Sequence, residues 1–205
     1  MKNRMARIVA VTGACLGWAA LALQLVLTLS LIHAQGGTLL AGLWQFFGYF
    51  TILANVFAAS VLSLAALRRN VPRAEFAAVT AMILVGVVYS LLLRDSWNPQ
   101  GAQKIADVAL HDAMPLVMAV FWLLLPHGAL RRVDIAASLI LPLGYLAYAM
   151  IRGAFEGWYA YAFLDVTILG ATRVAINAAV IGLAFLAMAL LLAGLNRLLG
   201  RYRQT

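Results

Sequence analysis

The residues of this sequence best suited to covalent chemistry are a threonine and a histidine within apolar stretches. Thr51 belongs to a set of residues that recur every three or four positions, which places them on one predicted helix face. The set is Trp44, Gly48, Thr51 and Asn55. A threonine hydroxyl becomes an effective nucleophile when a nearby base accepts its proton, and an imidazole often serves as that base. Thr51 and His111 could therefore act as a nucleophile and its base if the fold brings their side chains together.

Two aspartates lie close to His111 in the sequence. Asp107 precedes it by four residues and shares its predicted helix face, where a carboxylate can orient the imidazole and fix its tautomer. Asp112 is adjacent in sequence but points about 100° away around the helix, which makes it the weaker candidate. An oxyanion formed beside Thr51 would need hydrogen-bond donors, and we expect Asn55 or a later tyrosine to supply them.

Each of these residues also has a purely structural interpretation. A threonine in a membrane helix often bonds back to the carbonyl four residues earlier, which for Thr51 is that of Phe47. Asn55 could serve only to join two helices, and Gly48 only to let helices pack closely. His111 could be a packing residue near the membrane surface. The residue types alone leave both interpretations open.

The elements that must position these residues are predicted to be membrane-spanning helices. Of the 205 residues, 65% are hydrophobic and only 11% are charged, and the mean hydropathy is +0.95. A water-soluble fold of this size could not bury so much apolar surface. We predict an all-α integral membrane bundle of six transmembrane helices, one domain over residues 1–205. The predicted spans are 8–32, 43–67, 74–93, 105–125, 133–152 and 172–196.

Basic residues alternate in density from one connection to the next. Eleven of the 15 Lys and Arg residues fall at the two chain ends or in the second and fourth connections. They are Lys2, Arg4, Arg7, Arg68, Arg69, Arg73, Arg131, Arg132, Arg197, Arg201 and Arg203. The remaining four are Arg94, Lys104, Arg152 and Arg173. By the positive-inside rule, we expect both termini in the cytoplasm.

The charge and cysteine content exclude several other classes of protein. The net charge of +8 does not indicate a nucleic-acid partner, because the basic residues cluster between apolar stretches. Cys15 is the only cysteine, which excludes an intrachain disulfide, and no CxxC or HExxH pattern suggests zinc. We predict neither a metal nor a cofactor.

The predicted spans bring the candidate pair to a similar depth. At 1.5 Å per residue, Thr51 lies about 12 Å below the start of the second span and His111 about 9 Å below the start of the fourth. Both would lie in the outer leaflet. The connection over 153–171 carries Tyr159, Tyr161 and Asp165. Its aromatic residues suit either an interfacial belt or a lid over an outer cavity.

Three sequence blocks resemble the motifs of one family, the androgen-induced and androgen-dependent TFPI-regulating membrane threonine hydrolases, which has a bacterial six-span branch. Trp44-Gln-Phe-Phe-Gly-Tyr-Phe-Thr51-Ile-Leu-Ala-Asn55 is similar to its second-helix motif. Leu110-His111-Asp-Ala-Met-Pro115, followed by Phe121-Trp122, resembles its histidine motif. Arg152-Gly153 and Gly157-Trp-Tyr-Ala-Tyr-Ala-Phe163-Leu-Asp165 resemble its last outer loop, although Ala160 and Ala162 replace the usual prolines. The blocks occur in the family's order and span most of the chain.

The resemblance implies an intramembrane hydrolase similar to those that cleave fatty acid esters of hydroxy fatty acids. Thr51 would be the nucleophile and His111 the base, and the substrate would be a membrane lipid or fatty acyl ester. The bacterial branch of the family further implies a location in a bacterial inner membrane. The supporting residues would be Asn55, Asp107, Asp112, Arg152, Tyr159, Tyr161 and Asp165. Two alternatives stay open: a transporter or channel with an outer Asp, Arg and His site, and a structural membrane protein. The oligomeric state is not predicted.

Overall fold

The computed structural model describes residues 2–128 and 130–202, which are helical and contain no strand. The helices are α1 (Lys2–Ala34), α2 (Leu39–Phe46), α3 (Phe50–Ala66), α4 (Pro72–Val88), α5 (Gly101–Val108), α6 (Met114–Leu124), α7 (Arg132–Ser138), α8 (Ile140–Glu156), α9 (Val166–Leu169) and α10 (Ala171–Tyr202). The π turn Tyr89–Leu93 extends α4, and a second π turn, Ala109–Ala113, joins α5 to α6. Two 3₁₀ turns lie at Arg94–Ser96 and Ala162–Leu164. The predicted all-α class is confirmed.

Five helical segments of the described chain are long and apolar enough to span a membrane. They are Arg4–Ala34, Pro72–Ser96, Gly101–Leu124, Arg132–Glu156 and Ala171–Arg201. Together α2 and α3 would make a sixth span, but they meet at an angle of 79°. The number of such helices is therefore five to six, depending on whether the bent pair counts as one span.

The prediction of one continuous helix over 43–67 is wrong. Residues 47–49 separate α2 from α3. Trp44 and Gly48 therefore do not share a helix face with Thr51, as the spacing had suggested. Hydrophobic periodicity could not reveal this break, because the residues on both sides of it are apolar and are typical of a span.

The break is stabilised by Arg152 of α8, whose side chain is only 4% exposed. Its Nη1 donates to the Trp44 carbonyl at 2.8 Å, which satisfies one of the carbonyls left free where α2 ends. Gly48 makes room for this contact, because a Cβ there would lie 2.5 Å from the same nitrogen and 2.8 Å from the Trp158 ring. Tertiary packing therefore requires the glycine at this position.

The bundle has two chemically different ends with an apolar core between them. We call one the terminal end, because the start of α1, the end of α10 and the connections after α3 and α6 lie there. Arg7 donates to the Ala66 carbonyl at this end, and Gly200 approaches Gly128. The opposite end, which we call the site end, carries the connections after α1, α4 and α8. The basic residues predicted to face the cytoplasm lie at the terminal end, except that Arg203 lies outside the described residues.

We predict that Gly153→Ala destabilises the protein, whereas Gly144→Ala on the same helix does not. A Cβ at Gly153 would lie 2.0 Å from the Tyr159 ring, so the aromatic connection must move, at a cost of about 1–3 kcal/mol. A Cβ at Gly144 meets no atom within 4 Å and removes the backbone entropy of glycine. Thermal unfolding in detergent measures both effects. Equal melting temperatures would contradict the described packing of the aromatic connection.

Candidate active site

The side chains of Thr51 and His111 meet at the site end of the bundle. Thr51 Oγ1 lies 3.3 Å from His111 Nε2 and 3.5 Å from the Tyr161 hydroxyl. Thr51 is the second residue of α3 and is 9% exposed. Among the described contacts, its hydroxyl has no bond to the Phe47 carbonyl, because α3 begins only at Phe50. The polar contacts of the Thr51 hydroxyl are therefore with other segments of the bundle.

Asp107 determines the hydrogen-bonding role of the His111 imidazole. His111 Nδ1 lies 3.1 Å from Asp107 Oδ1 and 3.1 Å from the Asp107 carbonyl oxygen. Both oxygens are acceptors when the carboxylate is ionised, so we assign the proton to Nδ1 and the free lone pair to Nε2, which faces Thr51. The three side chains form a chain of hydroxyl, imidazole and carboxylate in the order that activates a nucleophile.

Tyr89 contacts both Asp107 and the imidazole. Its hydroxyl donates to Asp107 Oδ2 at 2.5 Å, and its ring stacks on His111 with centroids 4.0 Å apart and planes 15° apart. Arg94 lies over the Tyr89 ring, 4.8 Å from its centroid, and pairs with Asp112 at 2.5 Å. Asp112 is therefore the partner of Arg94, whereas Asp107 is the acid that contacts the histidine.

His111 lies on a π turn. The Met114 N–H bonds to the carbonyl five residues earlier, as in a π-helix, and the proline that follows has no N–H. The Leu110 carbonyl instead accepts from Asn55 Nδ2 at 3.2 Å. A side chain of α3 thus supplies a hydrogen bond that the backbone around the proline does not supply.

Asn55 joins the helix of the candidate nucleophile to the segment of the candidate base. Its Nδ2 donates to the Thr51 carbonyl at 2.9 Å as well as to Leu110. Both amide hydrogens are used, so Asn55 is not available as the oxyanion donor that the sequence suggested. Its buried Oδ1 has no hydrogen-bond partner among the described residues.

Tyr161 is a donor that the structure places beside Thr51. Its hydroxyl accepts from the Thr51 N–H at 3.4 Å, in addition to its contact with Oγ1. Desolvation by burial raises the pKa of the Tyr161 hydroxyl above its usual value, although its hydrogen bonds with Thr51 oppose this shift. The phenol stays protonated at neutral pH and can donate to negative charge that develops beside Thr51.

Arg152 lies behind the site and not in it. Its Nε donates to Glu156 Oε2 at 2.8 Å, and its guanidinium lies 4.6 Å from the Trp44 ring and 4.3 Å from the Trp158 ring. Glu156 Oε1 also accepts from Trp44 Nε1 at 2.7 Å. These contacts hold the end of α2 against α8 and so determine where the helix of Thr51 begins.

Two other predicted supporting residues have structural roles away from the pair. Asp165 caps α9, where its Oδ1 accepts from the N–H groups of Thr167 and Ile168. Tyr159 packs its ring against Gly153. In the described structure neither residue contacts Thr51 or His111, because the connection turns so that Tyr161 is the tyrosine that points at the pair.

Two cavities meet at Thr51. The apolar pocket has a volume of about 110 Å³ and lies between α3, α4, α8, α10 and the aromatic connection. The vestibule is larger, at about 460 Å³, and lies between α1, α2, α3, α5 and both π turns. The residues that line both cavities are Thr51, Tyr89, Leu93 and Tyr161. The candidate nucleophile therefore lies where an apolar space meets a more polar one.

Tyr89, Gln24 and Gln103 lie in the site region and were not predicted from the sequence. Gln103 Nε2 donates to Gln24 Oε1 at 2.8 Å, and Gln24 Nε2 donates to Thr28 at 3.3 Å, at the wall of the vestibule. The sequence held a signal for Gln24, because it and Thr28 are polar residues one turn apart in an apolar span. Tyr89 gave no such signal, since tyrosines near span ends usually belong to interfacial belts.

Comparison with protein-family models, with curated proteins and with solved structures finds no significant match to this chain. Its function must therefore be inferred from its own residues and their geometry.

We predict that Asn55→Ala destabilises the protein by about 1–3 kcal/mol, because it leaves the buried Leu110 carbonyl without its donor. Ser60→Ala on the same helix is the matched control. In the described part of the chain, the Ser60 hydroxyl bonds within its own helix α3, to the Val56 carbonyl, so its loss should change stability by no more than about 0.5 kcal/mol. Thermal unfolding measures both. An equally small effect of the two substitutions would contradict the bridging role of Asn55.

Proposed function

We propose that this protein is an intramembrane hydrolase of lipid esters, with Thr51 as the nucleophile and His111 as the base. One observation carries the proposal: Thr51 Oγ1 lies 3.3 Å from His111 Nε2, while Asp107 contacts the other ring nitrogen. The same order of groups activates nucleophiles in hydrolases of unrelated folds. The sequence resemblance to membrane threonine hydrolases supports the same two residues.

Acylation begins when Thr51 Oγ1 attacks the acyl carbon of the ester and His111 Nε2 accepts the threonine proton. His111 then gives this proton to the departing oxygen as the C–O bond breaks, and the alcohol leaves. In deacylation, water attacks the acyl-threonine and gives its proton to His111, which returns it to Thr51 Oγ1 as the fatty acid leaves. One ester and one water thus yield one fatty acid and one alcohol.

The negative charge of the tetrahedral intermediate develops at the start of α3. The Tyr161 hydroxyl lies 3.5 Å from Thr51 Oγ1 and stays protonated, so it can donate to this charge. Because Thr51 is the second residue of α3, the positive end of the helix dipole favours charge at the same place. The sequence suggested Asn55 or a later tyrosine as the donor, and we favour the tyrosine because both amide hydrogens of Asn55 are already used.

We further propose that α2 and α3 form the sixth span, that both termini are cytoplasmic, and that the site lies in the outer leaflet of a bacterial inner membrane. The distribution of Lys and Arg supports this orientation. The apolar pocket supports lateral entry of an acyl chain from lipid, because Leu143 in its wall is 54% exposed on the surface of the bundle.

Transport is the alternative from a different class, and the terminal half of the bundle argues against it. The buried polar residues toward that end are Glu75, Thr80, Asp134, Ser138 and Asn196. Thr80 and Ser138 bond to carbonyls of their own helices. Ala54, Ala58 and Met82, all 0% exposed, belong to the apolar core around them. The described residues therefore provide no continuous polar path from the site to the terminal end.

We predict that a fluorophosphonate probe with a long alkyl chain labels the purified protein covalently at Thr51. Thr51→Val keeps the branched shape but removes the hydroxyl, so it should fold and remain unlabelled, whereas Thr51→Ser should still react. His111→Ala should slow labelling by about 10³-fold or more, because the hydroxyl loses its base. Mass spectrometry of the labelled peptide identifies the site.

Unlabelled wild-type protein with a normal melting temperature and demonstrated probe access would count against the hydrolase. A structural protein without chemistry makes a different prediction. In that case Thr51→Val and His111→Ala would alter only the melting temperature, and the wild-type protein would not react at all.

We predict that Tyr161→Phe lowers the rate of ester hydrolysis by about 10²–10³-fold, as expected for removal of an oxyanion donor. Tyr159→Phe is the matched control, because Tyr159 packs through its ring against Gly153. Initial rates on a fatty acyl ester in detergent micelles measure both variants. Equal rates for the two would exclude Tyr161 as the donor and leave the start of α3 as the remaining source of stabilisation.

A further inference from the structure

The vestibule is large enough to hold a distinct part of a substrate. Its volume of about 460 Å³ falls within the roughly 300–1,000 Å³ typical of ligand sites. Thr51 and His111 both line it, so a group bound there would lie next to the ester bond. The apolar pocket, which also reaches Thr51, suits the acyl chain. The vestibule is then the space for the alcohol portion.

The polar lining of the vestibule consists largely of neutral amides and hydroxyls. Its members with such groups include Gln24, Thr28, Gln35, Gln45, Tyr49 and Gln103. Gln103 and Gln24 are linked by one hydrogen bond at 2.8 Å, and Gln45 Nε2 donates to the Tyr49 hydroxyl at 3.4 Å. A primary amide has two N–H donors and one acceptor carbonyl, so these bonds leave further capacity on each glutamine.

Positive charge is missing from this lining. Among the described residues that line the vestibule there is neither Lys nor Arg, and Asp107 is the carboxylate. Arg94 pairs instead with Asp112, and Lys104 is exposed. A carboxylate or phosphate bound in the vestibule would share the space with Asp107 and have no cation as a partner, which disfavours it.

We propose that the vestibule selects esters whose alcohol portion is neutral and rich in hydroxyls, so that the substrates are acyl esters of glycerol-like alcohols. The proposal rests on the proposed hydrolase function. Hydroxyl groups both donate and accept hydrogen bonds, and so they match the amides of Gln24 and Gln103. A wholly apolar alcohol portion leaves these amides without partners, and a charged one lies beside Asp107 without a cation, so the vestibule discriminates against both.

The test uses three decanoyl esters that differ only in the alcohol: glycerol, glycerol 3-phosphate and methanol. Binding to the Thr51→Val variant in lipid nanodiscs is measured by calorimetry, because this variant cannot consume the ligand. The glycerol ester should bind at least about 10-fold more tightly than either of the others. Gln24→Leu and Gln103→Leu should each weaken its binding by about 3–10-fold, the effect of one or two hydrogen bonds, and leave the methyl ester unchanged.

Gln100→Leu is the matched control, because Gln100 is exposed, lies outside the vestibule and, among the described residues, bonds to Asn98 alone. Each variant must retain the melting temperature of its parent. Because Gln24 and Gln103 lie on different helices, we expect at least one of the two leucine variants to meet this requirement. Equal affinity for the glycerol and glycerol phosphate esters, or unchanged binding in folded Gln24→Leu and Gln103→Leu, would overturn the proposal.

The binding result is separable from the proposed hydrolase function. A preference for the glycerol ester in protein whose Thr51 never reacts with fluorophosphonate would refute the hydrolase and retain the vestibule as a neutral-lipid site. Reaction at Thr51 without any preference among the three esters would refute the vestibule assignment and retain the hydrolase.

Discussion

The hydrogen bond from buried Arg152 to the Trp44 carbonyl is the interaction on which the candidate site depends. It ends α2, and α3 then begins in a new direction, with Thr51 as its second residue. In one continuous helix the Thr51 N–H would bond to the carbonyl of Phe47, and the hydroxyl would have the same carbonyl within reach. Because of the break, the Thr51 N–H instead donates to the Tyr161 hydroxyl, and the Thr51 hydroxyl lies within hydrogen-bond distance of His111.

Irregular backbone is concentrated around the two candidate catalytic residues. The break at 47–49 precedes Thr51, one π turn carries His111, and the other carries Tyr89, whose ring stacks on the imidazole. Departures from α-helical geometry at membrane depth are tolerated where side chains or neighbouring segments satisfy the backbone. Arg152 and Asn55 provide this compensation, and each does so through a carbonyl that a regular helix would have paired internally.

The sequence predicted the helical class and most of the long apolar helices, because apolar length is a local property, and it paired Asp107 with His111 through their i, i+4 spacing. It placed Thr51 and His111 at a similar depth but could not show that they meet. It did not predict the break in the second span, which depends on a buried arginine about 100 residues away in the chain. The same limit explains why the roles of Asn55 and Asp165 were not predicted. The amide of Asn55 is used by a carbonyl of the π turn, and Asp165 caps a short helix. The catalytic roles themselves remain predictions.

The double hydrogen bond of Asn55 has a mechanical consequence. Changes in bilayer thickness or lateral tension alter the tilt of individual helices, and such motion would ordinarily change the distance between groups on different spans. Asn55 fastens the backbone beside Thr51 to the backbone beside His111 through one short, rigid amide. If the bundle spans a bilayer as proposed, the two groups should therefore move as one body when the bundle tilts, and the distance between the hydroxyl and the imidazole should change little with the state of the lipid.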